Sequence, residues 1–247
     1  NEIVELVHNY VHPETGELIT KERLEIKGLG KAKYILKPGG TLGDLYTNSD
    51  LVYNDDGYIE VDKNGNVAVK DDYMDDIYLG SVFPKYNLAW RNDFNYKGIN
   101  LGVLFTARIG GICYSATQAN MDLYGVSEAS AAARDAGGVM INGRDMIDAQ
   151  KWYQVIGSQS GLPQYYTYSA TNVRLQELSL GYTLPSKWFR DKMRMTVSFV
   201  GRNLWMIYCK APFDPEAVAS TGMNYQGIDY FMMPSMRNLG FNVKFQF

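Results

Sequence analysis

The sequence predicts an all-β protein: a segment of an antiparallel transmembrane β-barrel with long extracellular loops. Three observations predict this fold class. Apolar and polar residues alternate in several stretches, short and long connections alternate between those stretches, and charged residues recur on their polar side. Alternation with a period of two is typical of a strand whose faces meet different surroundings. The composition agrees, because 13% of the 247 residues are aromatic and 19 are Tyr, and aromatic residues are enriched in strands.

The totals of the sequence exclude several classes of function. A net charge of -3 provides no overall field that attracts nucleic acid. Two cysteines, Cys113 and Cys209, are too few for a disulfide scaffold, and we expect both to be free thiols. No apolar run approaches the roughly 18 residues of a membrane helix. This does not exclude membrane β-strands, which need only about 9–11 alternating residues.

Five alternating stretches predict consecutive antiparallel strands in the second part of the chain. The first, "KYNLAWRNDFNY", places Leu88, Trp90 and Phe94 on one face. The second, "GINLGVLFTARIG", follows after Tyr96-Lys97-Gly98, a link that predicts a tight hairpin. The third and fourth, "RLQELSLGYTLP" and "KMRMTVSFVGRNLW", are joined by the short link 185–192, and the fifth is the C-terminal "RNLGFNVKFQF".

The connections between these stretches alternate in length. Two are tight, whereas the chain runs through long loops near residues 114–171 and 206–235. Short connections at one end and long ones at the other are typical of outer-membrane barrels, and a β-sandwich has no reason to sort its loops in this way. We therefore predict barrel strands with long loops in residues 84–247. Residues 1–83 are expected to form extracellular loops and strands outside the membrane band.

The two faces of the predicted strands differ in chemistry. A wide membrane barrel is wet inside and apolar outside, so we assign the continuous apolar face to lipid and the polar face to the lumen. The charged residues predicted to face the lumen are Arg91, Asp93, Arg108, Glu177, Arg194 and Lys244. A soluble antiparallel sandwich with its polar face in water is the alternative interpretation.

The longer of the two predicted loops is rich in aromatic residues. Exposed aromatic side chains stack on sugar rings and also anchor protein interfaces. The candidate contacts to a ligand or a partner are Trp152, Tyr153, Tyr165, Tyr166 and Tyr168. The alternative is that these side chains pack the loop onto its own barrel.

The motifs typical of catalytic or metal-binding sites are incomplete in this sequence, so it predicts no enzyme, no metal site and no cofactor. The run Tyr73-Met74-Asp75-Asp76 is similar to a polymerase hairpin, but no basic template channel accompanies it. The segment 62–66 has the first residues of a calcium loop but lacks the glutamate at loop position 12. His8 and His12 lie four apart in a β-branched stretch, where an extended backbone separates them by about 13 Å.

Several blocks of the chain resemble one known family in order and spacing. They are "VFPKYNLAWRNDFNYKGINLGVLFTARIGG", "TNVRLQELSLGYTLP", "VSFVGRNLWMIYCKAPFDPE" and "QGIDYFMMPSMRNLGFNVKFQF". These blocks resemble the C-terminal part of SusC/RagA-like TonB-dependent outer-membrane transporters. The earlier "YILKPGGTLGDLY" and "YIEVDKNGNV" fit the same family, so the resemblance covers essentially the whole chain.

The resemblance implies a 22-stranded barrel with an N-terminal plug, in the outer membrane of a Gram-negative bacterium. It implies energy supply through TonB, a SusD-like surface lipoprotein as partner, contact with outer-membrane lipid, and glycans or peptides as substrates. In such barrels the last strand ends on an aromatic residue that the assembly machinery reads, and Phe247 stands at that position.

The resemblance also has a departure. The plug domain, the TonB-contacting segment and a signal peptide are absent from these 247 residues, which begin Asn-Glu-Ile. We therefore expect the chain to be a piece of a longer importer, its C-terminal wall. The alternative function is a secreted β-sandwich that binds carbohydrate.

Overall fold

The computed structural model describes residues 2–71, 76–222 and 224–247, with the side chains of residues 8 and 9 left out. Most elements are strands. In chain order they are β1 (Val7–Val11), β2 (Leu18–Lys21), β3 (Leu24–Lys27), β4 (Lys33–Leu36), β5 (Asp44–Thr47), β6 (Ser49–Leu51), β7 (Val69–Asp71), β8 (Ile77–Ser81), β9 (Tyr86–Tyr96), β10 (Ile99–Ile109), β11 (Ile112–Ser115), β12 (Val139–Ile141), β13 (Asp145–Ile147), β14 (Thr167–Ser169), β15 (Asn172–Thr183), β16 (Arg194–Cys209), β17 (Ile228–Asp229) and β18 (Asn238–Gln246). The helices are α1 (Ala116–Leu123), α2 (Glu128–Asp135), α3 (Ala149–Gly157) and two short 3-10 helices, Pro163–Tyr166 and Ser186–Phe189.

The chain forms two compact units. Unit 1 contains Asn1–Phe83, Ile112–Tyr168 and Val218–Met232, and unit 2 contains Pro84–Gly111, Ser169–Ala217 and Met233–Phe247. The long connection predicted near 114–171 therefore lies almost entirely in unit 1, whereas the one predicted near 206–235 is divided, with only Val218–Met232 in unit 1. The placement of residues 1–83 outside the membrane stays a prediction.

Unit 2 is built on one five-stranded antiparallel sheet in the order β18-β16-β15-β10-β9. Each strand pairs with the next of the five along the chain, as the alternating stretches predicted. The tight hairpin is also present, because Tyr96 pairs with Ile99 and only Lys97 and Gly98 lie between. Both have positive φ, 47° and 88°, which is the backbone of the two-residue turn that fits the twist of paired strands.

The register of the sheet separates the two faces. Residues directly opposite each other in neighbouring strands point to the same side. One row, Arg91, Leu104, Glu177, Arg202 and Asn238, therefore crosses all five strands on the polar face. The row Trp90, Phe105, Leu175 and Trp205 crosses four strands on the apolar face.

Unit 1 carries several small sheets and all three α-helices. Its core includes the fully buried Tyr34, Leu45 and Ile228. Each helix begins at a residue whose side chain caps a backbone N–H of the first turn: Ser115, Ser127 and Asp148, a signal of helix starts. The aromatic loop predicted from sequence thus contains all three α-helices that the structure describes, together with the 3-10 helix Pro163–Tyr166. No helix among the described residues is both long enough and apolar enough to cross a membrane.

Candidate functional site

An ion network lies on the polar face of the five-stranded sheet. The Arg91 guanidinium donates from Nε to Asp93 Oδ2 over 2.9 Å and from Nη1 to Glu177 Oε1 over 3.5 Å. Arg202 Nε donates to the other carboxylate oxygen of Glu177 over 3.0 Å. Glu177 lies on β15, so its carboxylate connects Arg91 of β9, on the far side of β10, with Arg202 of the neighbouring strand β16. The side chains of Arg91 and Arg202 remain more than half exposed, so their remaining N–H groups face solvent.

The structure brings together only some of the predicted lumen residues. Arg91, Asp93 and Glu177 belong to the network just described. The others lie elsewhere on the same face, since Arg108 is opposite Asn172, Arg194 is opposite Gln246, and Lys244 is opposite Thr196. That this face borders a lumen stays a prediction.

A second polar cluster surrounds Arg174, which sequence reasoning missed. The Arg174 side chain is almost fully buried and forms a bidentate pair with Asp214, with one contact at 3.1 Å. It also donates to Asn172 Oδ1 over 3.0 Å and to Ser235 Oγ over 3.2 Å. These contacts hold two segments against β15: the one that follows β16 and the one that precedes β18.

The electrostatics of this cluster depend on Asp214. Burial by itself raises the pKa of the Asp214 carboxyl, but hydrogen bonds from Arg174 and Ser235 outweigh burial and lower the pKa to about 2. The carboxylate is therefore charged throughout the physiological range. A charged pair that is buried and fully hydrogen-bonded fixes geometry, because breaking it leaves an uncompensated charge.

The opposite face of the sheet is apolar and exposed. Exposure reaches 60% for Trp90, 54% for Leu180 and 81% for Phe241. Aromatic pairs across strands line this face, with ring centroids 5.7 Å apart for Trp90 and Phe105 and 5.6 Å apart for Phe199 and Phe241. The alternative of a β-sandwich requires a second sheet packed on this face, and the five long strands described in unit 2 form a single sheet.

The five candidate aromatic residues of the long loop occupy different environments in unit 1. Trp152 and Tyr166 are buried in the core of unit 1, and whether any of the five contacts a ligand, a partner or the barrel stays a prediction. Tyr153 and Tyr168 are partly buried against that core. Tyr165 is 38% exposed, and its ring meets that of Trp152 edge-on at 5.8 Å. Of the five, only Tyr165 presents much of its ring to solvent.

The remaining sequence candidates have simple local settings. Phe247 is almost fully exposed beyond the end of β18, and its role in assembly stays a prediction. Asp62 accepts hydrogen bonds from the N–H groups of Asn64 and Asn66, so this stretch is a polar turn.

Residues 73–75 lie outside the described residues, as does the side chain of His8. Among the described side chains, no cluster of three metal-ligating groups occurs, and neither cysteine is part of a disulfide bond.

The sequence of the chain is similar to that of a known outer-membrane receptor. No protein-family profile matches the chain. A TonB-dependent receptor of Formosa agariphila is 25% identical over 198 residues, which cover 76% of this chain and 19% of that receptor. The chain is related to the TonB-dependent receptors. It spans about a fifth of the length of the curated relative that it matches.

Two solved structures share the fold. The RagAB peptide transporter matches with a TM-score of 0.56 and 16% identity, over 94% of this chain and 25% of that chain. The RagAB peptide importer in its open-open state matches with a TM-score of 0.56 and 17% identity, over 99% and 25%. At this identity the likeness concerns the fold alone. The predicted antiparallel barrel segment is confirmed, and the described strands do not close into a barrel.

The similarity to TonB-dependent receptors also indicates where the protein is located and whether it is an enzyme. TonB-dependent receptors are outer-membrane proteins of Gram-negative bacteria, so the predicted location is confirmed. The related proteins are receptors and transporters rather than enzymes. The prediction that the chain is not an enzyme is therefore confirmed by its relatives.

Proposed function

We propose that this chain forms part of the wall of a TonB-dependent outer-membrane importer. The observation that supports the proposal most directly is the five-stranded sheet with opposite chemistry on its two faces. One face carries exposed aromatic and aliphatic side chains, and the other carries the Arg91–Glu177–Arg202 network. Lipid on one side and water on the other are the surroundings that these two faces fit.

The strand lengths support the same assignment. A tilted strand needs about 9–11 residues to cross the hydrocarbon core of a bilayer. The five strands of unit 2 contain 11, 11, 12, 16 and 9 residues. Each is therefore long enough to cross. Every strand also contributes to the apolar face, which gives a continuous surface for lipid.

The mechanism is gated passage of a solute rather than bond chemistry. On this proposal Arg91, Asp93, Glu177 and Arg202 hydrogen-bond the plug or a polar solute as it passes. The chain works with TonB through another segment of the protein and with a SusD-like lipoprotein at the cell surface. Charged side chains that keep free N–H groups in a wet channel suit oligosaccharides or peptides, which offer many hydrogen-bonding groups. The structural relatives named as peptide transporters support import of such oligomers.

The proposal is tested by placing the same charge on neighbouring residues of β10 that point to opposite faces. In the full-length protein, we expect Phe105→Asp to impair membrane assembly, because a charged side chain that faces lipid near the bilayer centre is destabilising. Thr106→Asp, on the polar face opposite Arg174, is the matched control and should leave assembly intact. Heat-modifiable migration of outer-membrane fractions measures the folded barrel. Equal behaviour of the two variants contradicts the assignment of faces.

A further inference from the structure

The turn between β15 and β16 is rich in basic residues, and we call this segment, residues 185–192, the basic turn. Its charged residues, all exposed, are Lys187, Arg190, Asp191 and Lys192. The hairpin turn at Lys97 and Gly98 lies beside the end of β15, because the backbone N–H of Thr183 donates to Gly98 C=O over 2.7 Å. Both short connections of the sheet are therefore at the same end, and both carry positive charge.

Hydrogen bonds inside the basic turn fix its backbone. Asp191 N–H donates to Ser186 C=O over 3.0 Å, and Lys192 N–H donates to Phe189 C=O over 3.1 Å. The Ser186 hydroxyl donates to Asp191 Oδ1 over 2.7 Å, so the acidic side chain is engaged within the turn. Arg190 and Asp191 have positive φ, 55° and 59°, a backbone that residues other than glycine adopt where surrounding contacts impose it. The turn is thus preformed, which lowers the entropy cost of binding.

The basic side chains of the turn lack a counter-charge. In the part of the chain that the structure describes, all three form neither a hydrogen bond nor an ion pair. Arginines in the middle of the same sheet differ, since Arg91 and Arg202 both pair with Glu177. A cluster of unpaired Lys and Arg side chains attracts an anionic membrane surface, and each residue strengthens that attraction about fivefold.

Aromatic residues surround the basic turn at this end of the apolar face. Trp188, within the turn, is 71% exposed. Tyr96, Ile99 and Tyr182 are directly opposite one another on three neighbouring strands, and their side chains are exposed on the apolar face. Trp and Tyr are enriched where the hydrocarbon of a membrane meets the headgroups. The turn therefore has the position of a headgroup site, with an apolar surface beside it for acyl chains.

We infer that the basic turn binds the phosphate of an anionic phospholipid, with Lys187, Arg190 and Lys192 as donors and Trp188 beside them at the level of the headgroups. Ammonium and guanidinium groups are strong donors to phosphate oxygens. The inference rests on the proposed function, because the short connections of an outer-membrane barrel lie at its periplasmic interface. It adds a specific headgroup site to the contact between the sheet and lipid.

The test is titration of the full-length protein in detergent with dioleoylphosphatidylglycerol or dioleoylphosphatidylcholine, with bound lipids counted by native mass spectrometry. The wild type should bind the anionic lipid at least about tenfold more tightly, since several cations act together. The triple variant Lys187→Gln/Arg190→Gln/Lys192→Gln should lose this preference. Arg190→Gln by itself should weaken binding about fivefold, which keeps the test decisive if the triple variant does not assemble.

The matched control is the triple variant Lys85→Gln/Lys210→Gln/Arg237→Gln. It also removes two lysines and one arginine from exposed positions of unit 2, but these lie at the other end of the sheet, next to the first residue of β9, the last of β16 and the first of β18. This variant should keep the preference of the wild type for phosphatidylglycerol.

Three results overturn the inference. One is equal binding of the two lipids by the wild type. The second is an equal loss of preference in the two triple variants, which assigns the effect to total charge. The third is that glycerol 3-phosphate binds at the turn as tightly as phosphatidylglycerol, which assigns the site to free phosphate anions.

Failure of this inference is distinguishable from failure of the proposed function. If Phe105→Asp impairs assembly, Thr106→Asp does not, and phosphatidylglycerol is not preferred, the headgroup site is wrong and the wall stands. If the two β10 variants behave alike, the assignment of the sheet faces fails whatever the lipid titration gives.

Discussion

Arg174 shows at the scale of one residue how a charge is kept inside this protein. The guanidinium is tolerated in its buried place because Asp214 meets it with two contacts. We expect Asp214→Asn to destabilise the full-length protein by about 3 kcal/mol, since it leaves the buried guanidinium without a counter-charge. Glu216→Gln is the control: Glu216 also contacts Arg174, at 3.4 Å, but is 44% exposed. The Glu216→Gln variant should lower the free energy of unfolding by less than about 1 kcal/mol. Urea titration in lipid vesicles measures the free energy of unfolding of both variants.

The same pair gives a pH dependence whose sign follows from the lowered pKa of Asp214. A carboxyl whose pKa falls on folding stabilises the protein fully above its ordinary pKa, here 3.8, and loses that contribution as the pH drops through about 2. The difference corresponds to about 2 kcal/mol. Between pH 5 and pH 2, the wild type should therefore lose about 2 kcal/mol more stability than Asp214→Asn. Parallel pH profiles for the two proteins are incompatible with this account.

Residues differ in how far sequence could predict their roles. Arg91, Asp93 and Glu177 were predicted to share a polar face because alternation fixes the face of each residue within its own strand. Arg174 and Asp214 are 40 positions apart, and no local period relates a strand residue to a residue of an irregular segment. The sequence pattern likewise did not decide that Trp152 and Tyr166 are buried in the core of unit 1, since their burial depends on how the helices of the long loop pack.

At the scale of elements, the alternation of apolar and polar residues predicts that β15 is a strand but does not predict the face of every residue in it. Leu175 and Leu178 have opposite parity, so strict alternation places them on opposite faces. In the structure the pairing with β10 shifts between Leu104 and Phe105. Leu175 then pairs with Phe105 and Leu178 with Val103, and both leucines face the apolar side. A bulge that inserts one residue explains this shift, and alternation alone does not predict where a bulge occurs.

The hairpin between β9 and β10 allows a prediction about an element. A Cβ on Gly98 would lie 2.8 Å from the carbonyl oxygen of Thr183, in addition to the strain of a φ of 88°. Gly65 has a similar φ of 73° but no atom within 4 Å of such a Cβ. Backbone strain of about 1–3 kcal/mol is expected in both valine variants, and only Gly98→Val adds the collision inside the sheet.

We therefore expect Gly98→Val to lower the amount of folded, heat-modifiable protein in the outer membrane, and Gly65→Val to leave it close to wild type. The comparison separates the collision from the strain, since both variants share the strain. An equal loss in the two variants indicates that the hairpin turn has no special place in assembly of the sheet.

At the scale of the whole molecule, the five-stranded sheet is open. Its outer strands, β9 and β18, each pair on one side only among the described strands, and open strand edges are unstable in lipid because their backbone groups lack hydrogen-bond partners. Even eight strands enclose only enough space for their own side chains. Five strands are therefore too few to surround a channel, so the sheet must be completed by further strands to work as a wall.

This geometry leads to a prediction for the 247-residue chain by itself. Refolded into lipid vesicles, it should give no permeability to a neutral tetrasaccharide such as stachyose in a swelling assay, although its apolar face associates with lipid. Vesicles containing an open porin are the positive control, and empty vesicles give the baseline. Stachyose flux that rises with the amount of chain contradicts the assignment of this sheet to one wall of a larger barrel, because it means that the chain builds a pore from its own strands or from several copies.

An incomplete wall predicts the opposite result: the flux stays at the baseline and the chain remains associated with the vesicles. Its apolar face contacts lipid, but its polar face encloses no channel.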